Sequence, residues 1–364
     1  MKRISISFFV LFSVFFVNAQ TRVLKMSATK STDFGVTYYL PKTILTVHVN
    51  YDKITKKAGP YAQYAEKYLG VKGESVVLED EIYYTLNTID LRSRGVVDKS
   101  AGYLVEFKSK TTSPFVYLTE DGLICAINAE YIPESANSNK VAITRPTSDA
   151  STGLSHSVYT EEYLRAGSIP KMAEVAAKQI YKLRESRTDL LTGNAENAPR
   201  DGEGMKIVLA NLDAQEKALV ELFTGTTNTE SLSADFEIEP IANTDIEKRV
   251  LFRFSKYLGV VDPDDLSGSP IYINIKSLEE PEIREPVDPK RKEKVKESES
   301  IVYSVPGKAA VEVFYGINSM YKNTLSIVQF GSKQILAPSL FDDKKVPVKI
   351  YFYPETGAVK QIIQ

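Results

Sequence analysis

The feature that most constrains this chain is one long helical region in its middle, residues 158–225, with β patterns on both sides. Apolar residues recur there at three- and four-residue steps, which is the spacing of one face of an α-helix. The first run consists of Met172, Val175, Ala176, Ile180, Leu183 and Leu190. The second run consists of Ile207, Val208, Leu212, Leu219, Leu222 and Phe223. We therefore predict two long helices, with a capping box of Asp213 and Glu216 inside the second run and a connection at residues 193–204.

The N-terminus has the three parts of a secretory signal peptide. Lys2 and Arg3 precede an apolar run over residues 4–17, and Val17-Asn18-Ala19 places small residues at a cleavage site. The run is shorter than the ~20 residues that span a bilayer. We predict a signal peptide at residues 1–19, a mature chain that begins at Gln20, and a soluble exported protein.

The segments on either side of the helical region predict short antiparallel strands that end at Gly and Pro. In the first half, strands are predicted at residues 34–41, 44–49, 82–91, 103–107, 115–118 and 123–127, with a short helix at 61–69. In the second half, strands are predicted at residues 234–238, 250–254, 271–275, 301–305, 310–315, 325–330, 348–352 and 358–363. The predicted fold class is α+β, with two β-rich, sandwich-like antiparallel domains and a helical segment between them.

The predicted boundaries follow changes in composition. They give an N-terminal β-rich domain over residues 20–131, a Ser-, Asn- and Pro-rich linker over 132–157, the helical segment over 158–225, and a C-terminal sandwich-like domain over 226–364. Residues 279–300 are dominated by Glu, Lys and Arg with three prolines, which predicts a solvated charged loop rather than an arm that binds nucleic acid.

Charge and residue types exclude several classes of function. Removal of Lys2 and Arg3 with the signal leaves 43 basic against 47 acidic side chains, a net charge of −4, which favours neither nucleic acid nor an anionic membrane surface. Cys125 is the only cysteine, so no intrachain disulfide forms, and its apolar neighbours predict a buried inert thiol. Tyrosine is abundant, which suits sheets with one apolar and one wet side.

The residues that carry chemistry are few. The two histidines are His48, on an alternating strand, and His156, for which a catalytic base and a surface polar residue are the two interpretations. Asp262, Asp264 and Asp265 form a dense acidic loop, for which a calcium site and an ordinary turn are the alternatives. No serine lies in a Gly-x-Ser-x-Gly elbow, and no phosphate-binding or dinucleotide-binding motif is present. We predict no cofactor and no catalytic residue.

Residues 35–43, 59–70, 262–270 and 356–359 are distinctive as a set, and they are distributed over nearly the whole mature chain. These segments resemble those of an uncharacterised family of exported proteins from the Bacteroidetes, domain of unknown function 4831. Gln20, directly after the predicted cleavage site, is also similar to exported proteins of that phylum. The resemblance implies a compartment and a fold, and it transfers no catalytic residue.

These observations predict a non-enzymatic envelope protein, in the periplasm or peripheral at the outer membrane. We expect it to bind envelope or outer-membrane proteins through sheet edges and Tyr-rich faces, as an interaction or scaffold module. The alternatives are a glycan- or small-molecule-binding module with a Tyr-lined pocket, and a hydrolase that uses carboxylates or His156.

Overall fold

The computed structural model of the protein describes residues 22–25, 35–106, 116–131, 160–196, 198–199, 201–278, 301–336 and 348–363. The strands are β1 Arg22–Lys25, β2 Gly35–Lys57, β3 Glu81–Glu106, β4 Val116–Leu118, β5 Ile124–Ile127, β6 Thr226–Ile238, β7 Ile246–Ser255, β8 Gly259–Val261, β9 Ser269–Ser277, β10 Val302–Tyr315, β11 Asn318–Ile335, β12 Lys349–Phe352 and β13 Val359–Ile363. The helices are α1 Ala65–Leu69, α2 Glu161–Arg165, α3 Ile169–Thr192 and α4 Gly202–Thr224.

The described strands form three sheets. The first has the order β1-β3-β2-β6, the second β11-β10-β9-β7-β8, and the third β13-β12-β5-β4. Neighbouring strands within each sheet run antiparallel. The predicted fold class, an α+β protein rich in antiparallel β structure, is therefore confirmed.

Two of the strands are much longer than predicted. Pro41 does not end the first strand, because β2 runs on through it for 23 residues. The proline is accommodated where the register between β2 and β3 shifts, a position at which a strand tolerates a missing N–H donor. β3 likewise joins two predicted strands into one of 26 residues. Gly95 lies within it, where a Cβ atom would come within 2.2 Å of the Glu355 carbonyl oxygen.

The largest core lies between the first and second sheets. Alternate residues of β2 point into it, and Leu45, Val47 and Val49 have no exposed surface. They meet apolar residues of the second sheet, which include Phe252, Ile271, Ile273, Ile275, Val311, Val313, Ile327 and Phe330. This alternation is what a strand with one buried and one open face requires.

A buried threonine connects the two sheets across this core. Thr43 of β2 is 2% exposed, and its N–H donates to Oε1 of Gln329 at 3.0 Å. The side-chain amide of Gln329 donates to the Thr43 carbonyl oxygen at 2.7 Å, and the N–H of Val328 donates to the Thr43 hydroxyl oxygen at 3.0 Å. The N–H, carbonyl and hydroxyl groups of Thr43 are thereby all hydrogen-bonded to β11, although β2 and β11 do not pair as neighbouring strands.

The other end of β2 lies in a second core with the third sheet. Tyr38 and Leu40 pack there against Ile124, Ile127, Ile350 and Phe352. The Tyr38 ring stacks on Tyr103 of β3 with centroids 5.5 Å apart. One strand therefore contributes side chains to two cores.

The helices form a third core beside the far end of β2. Ala173, Ala176 and Ile180 of α3 pack with Leu219 and Phe223 of α4. Tyr61 joins them, and its hydroxyl is hydrogen-bonded to that of Tyr163. Gly225 then returns the chain from α4 to β6 with φ +75°, where a Cβ atom would come within 2.4 Å of the Lys57 carbonyl oxygen.

The two long helices were predicted correctly, but the capping box was wrong. Asp213 and Glu216 lie in the middle of α4, and Asp201 caps its N-terminus by accepting from the Gly204 N–H. Glu216 binds Arg184 of α3 at 2.6 Å, and Asp213 lies 3.3 Å from Arg187. Both carboxylates therefore link the two helices. Their three-residue spacing suits a capping box, but it also places two side chains on the same face of a helix, and here that face is turned to α3.

The sheets combine segments that are distant in sequence. β6 of the second half pairs with β2, and β12 pairs with β5. Three predicted segments lie outside the described residues: the signal peptide at 1–19, the linker at 132–157 with His156, and the charged loop at 279–300. The domain boundaries stay predictions.

Tyr38 gives a direct test of how the second core is held together. Its hydroxyl donates to the Val302 carbonyl oxygen at 3.1 Å and accepts from the Val302 N–H at 2.9 Å. We expect Tyr38→Phe to lower the free energy of unfolding by about 1–3 kcal/mol, because both buried backbone groups lose their partner. Urea unfolding measures this, and Tyr257→Phe at an exposed tyrosine should change it little. Equal stability of both variants would contradict this role for Tyr38.

Candidate functional site

The side of the first sheet that points away from the second sheet is polar and exposed. We call it the open face. It consists of Glu81, Tyr83, Thr85, Thr88, Asp90, Arg92 and Arg94 on β3, Ile44, Thr46, His48, Asn50, Asp52, Ile54 and Lys56 on β2, and Thr227, Thr229, Ser231, Ser233, Asp235 and Glu237 on β6. Apart from Ile44 and Ile54, these residues are polar or carry a polar group, and the alternation of the strands places them on one surface while the residues between them are turned to the core.

Hydrogen bonds between neighbouring strands fix the side chains of the open face. Asn50 Nδ2 donates to Thr88 Oγ1 at 3.0 Å, and Ser231 Oγ donates to Asp52 Oδ1 at 2.8 Å. A guanidinium nitrogen of Arg94 lies 2.7 Å from Glu237 Oε1, so this pair reaches across the width of the sheet. Polar groups held in this way lose less conformational entropy when a partner binds.

His48 lies at the centre of the open face, between two aspartates. It stands opposite Asp90 on β3 and opposite Asp235 on β6, and its Nδ1 lies 2.5 Å from Asp235 Oδ1. The two side chains are 36% and 62% exposed. Water reaches both, so this pair lacks the water-excluded cavity in which a histidine–carboxylate pair usually works as a general base.

The size of the open face suits contact with a macromolecule. From Ile44 to Lys56 it is about 40 Å long, and three strands make it about 14 Å wide, or about 560 Å². One side of a standard protein–protein interface covers about 800 Å². The open face is therefore large enough to be the centre of an interface.

A shallow depression lies between α2 and the start of α3. It has a volume of about 470 Å³ and is lined by Glu161, Glu162, Arg165, Ala166, Gly167, Lys171 and Val175. Charged side chains dominate this lining, and no tyrosine belongs to it. The depression thus differs from the Tyr-lined pocket expected for a ligand-binding module, and that alternative stays a prediction.

The acidic loop is held as a turn by Arg253. The guanidinium donates to the carbonyl oxygens of Pro263 at 2.7 Å and of Gly268 at 3.1 Å. Asp265 Oδ1 accepts from the Ser267 N–H at 2.9 Å. Hydrogen bonds from Ser267 hold the pKa of the Asp265 carboxyl below its usual range. In the part of the chain that the structure describes, no group of three or more His, Cys, Asp or Glu side chains could hold a metal ion.

Calcium tests the two interpretations of Asp262, Asp264 and Asp265. We expect the thermal unfolding midpoint to stay unchanged on addition of about 10 mM calcium, which is about tenfold above the dissociation constant of the weakest extracellular sites. The reason is that Arg253 and Ser267 already occupy oxygens that a cation would need. A rise in the midpoint that is lost in Asp264→Asn would contradict the turn and establish the metal site.

Cys125 is buried on β5, as predicted. It has no exposed surface, and its thiol donates to the Leu123 carbonyl oxygen at 3.6 Å. Burial raises the pKa of the thiol to about 11. A thiol with this pKa is protonated at neutral pH and is a poor nucleophile.

We expect the native protein to resist thiol labelling at pH 8. Only about one thiol in a thousand is ionised three pH units below its pKa, and Cys125 is also closed to solvent. Labelling by a disulfide reagent should be complete in about 8 M urea, which unfolds domains of ordinary stability, and slow in buffer. Rapid reaction of the native protein would show that β5 opens to solvent.

Part of this site was accessible to sequence reasoning and part was not. The position of His48 on a half-exposed strand follows from the alternation of apolar residues around it. Its partner Asp235 lies 187 residues away, in a strand that was predicted only over residues 234–238. Asp90, Arg92 and Arg94 were missed as surface residues, although Asp90 lies between the core residues Ile89 and Leu91 and the two arginines continue the same alternation.

Fold and site together define a β-rich antiparallel protein with an inserted helical pair and an open polar sheet. A family model described as Domain of unknown function (DUF4831) matches residues 34–360, so the chain belongs to this family. No curated protein and no solved structure matches it significantly. Among the described residues, no helix combines the length and the apolar character needed to cross a membrane.

Proposed function

We propose that this protein is a non-enzymatic, exported component of a Bacteroidetes cell envelope that binds other proteins through the open face. The observation that supports this most is a largely polar sheet surface of about 560 Å² with no second layer over its described residues. The predicted signal peptide supports export. We place the protein in the periplasm or peripherally at the outer membrane, with envelope or outer-membrane proteins as partners.

The charges of the open face favour recognition over catalysis. Acidic and basic side chains follow one another along β3, where Asp90 precedes Arg92 and Arg94. A fixed arrangement of opposite charges selects a complementary surface and penalises a partner with the wrong register. The side chains remain exposed, so the pattern is available in the free protein.

Crosslinking of a tagged chain in intact cells, followed by gentle isolation of membranes, tests the function. We expect one recurrent envelope protein to be recovered with it. Asp90→Lys combined with Arg92→Glu inverts the pattern and leaves the net charge unchanged. This variant should reduce recovery by about tenfold, the loss that corresponds to one or two interfacial charge contacts.

The matched control is Lys182→Glu combined with Glu185→Lys, which makes the same exchange at two exposed positions of α3. Its recovery should equal that of the unmodified chain, and urea unfolding checks that both variants fold. Equal recovery for all three chains would remove the open face as the binding surface. A clean monomer under every condition would overturn the proposed function itself.

A further inference from the structure

β6 forms one edge of the first sheet. Its 13 residues pair with β2 on one side over their full length, and no described strand pairs with the other side. Residues 226–231 are exposed on both faces of the strand, and Ser233, Asp235 and Glu237 are exposed on the open face. The backbone N–H and C=O groups on the free side of an edge strand can pair with another strand.

This edge lacks three of the features with which proteins usually prevent such pairing: lysine, proline and a β-bulge. Its sequence, Thr-Thr-Asn-Thr-Glu-Ser-Leu-Ser-Ala-Asp-Phe-Glu-Ile, contains neither lysine nor proline. Its register with β2 is continuous, without a bulge. Lysine, proline and β-bulges at an edge normally hinder edge-to-edge association; the charges that β6 does carry are the carboxylates of Glu230, Asp235 and Glu237. β6 is also long, whereas the edge strands β8 and β4 have three residues each.

The sequence of β6 is complementary to itself when two copies run antiparallel. The midpoint of the strand is Leu232, and a twofold axis there aligns all 13 residues of each copy. Asp235 then stands opposite Thr229, and Glu237 stands opposite Thr227. Glu230 stands opposite Ala234, so no two carboxylates face each other. Cross-strand pairs of a carboxylate with a hydroxyl are favourable, whereas like charges directly opposite one another are not.

The same register keeps both faces of the sheet consistent. Opposite residues in an antiparallel pair point to the same side. Thr229 and Asp235 both belong to the open face, and Leu232 and Ala234 both point to the side of the core. Leu232 of one copy meets Leu232 of the other at the axis, which adds an apolar contact at the centre.

We propose that β6 binds β6 of a second copy of this chain, in the antiparallel register centred on Leu232, to form a homodimer with one continuous sheet. A twofold axis perpendicular to the sheet places both open faces on the same side. This homodimer does not depend on which envelope protein binds the open face. Its formation doubles the open-face area that such a partner could contact.

Sedimentation equilibrium of the chain without residues 1–19 tests the association. We expect a reversible dimer with a dissociation constant between about 1 µM and about 1 mM, the range for an interface of modest area. Ser231→Lys combined with Ser233→Lys places the new ammonium groups of the two copies opposite each other, and should weaken association by at least about tenfold. Asn87→Lys combined with Ser93→Lys adds the same charge at exposed positions of β3 and should leave the dimer intact. A monomer over the whole concentration range would overturn the proposal.

Disulfide crosslinking tests the register. Thr229→Cys and Asp235→Cys chains, when mixed and oxidised, should form a heterodimeric disulfide, because the two positions are opposite each other and within disulfide reach. Each chain alone should crosslink poorly, since identical positions lie about 20 Å apart in this register. The unmodified chain is the control: its only cysteine, Cys125, is buried and should not form an intermolecular disulfide. Efficient crosslinking of Thr229→Cys alone, or a dimer without any mixed disulfide, would contradict the register and with it the β6 interface.

Discussion

The pairing of β2 with β3 is the interaction on which the rest of the structure depends. The two strands stay in register from Gly35 to Lys56, apart from two shifts. Along this length β2 supplies Tyr38 and Leu40 to one core, and Leu45, Val47 and Val49 to another. The alternation of buried residues changes phase at Leu40 and Pro41, where the register between β2 and β3 shifts, so one strand supplies even-numbered residues to one core and odd-numbered residues to the other. Each core is small, and the shared strand is what joins them.

The helical pair is attached to the same strand. The Tyr61 N–H donates to the Leu222 carbonyl oxygen at 2.8 Å, which fixes the chain just after β2 to the end of α4. Gly225 then lets the chain turn at once into β6, and β6 runs back along β2. The helices therefore lead the chain from β5 of the third sheet back to the first sheet. Their position in the middle of the sequence does not separate two independent layers of strands.

Most element types were predictable, and most pairings were not. The 3.6-residue period of α3 and α4 and the alternation of Ile271, Ile273 and Ile275 are local signals, and the structure confirms the helices and the strand β9. Pro41 was misread because a sequence does not show that a register shift will accommodate it. Asp213 and Glu216 were misread because helix capping and helix pairing use the same spacing. His48 and Asp235 meet only because β6 returns to β2, which is a property of the topology and is absent from local sequence.

The open face and the free edge of β6 are two consequences of one arrangement. The second sheet covers the core side of β2, β3 and β6, so their other side has the mostly polar residues that alternate with the core. β6 comes last in this sheet, and none of the described strands pairs with its outer backbone groups. In a dimer joined at β6, the two open faces would form a single surface about twice as wide. A partner with two matching sites would then bind the second site intramolecularly, and its overall affinity would exceed that for one face without any new type of contact.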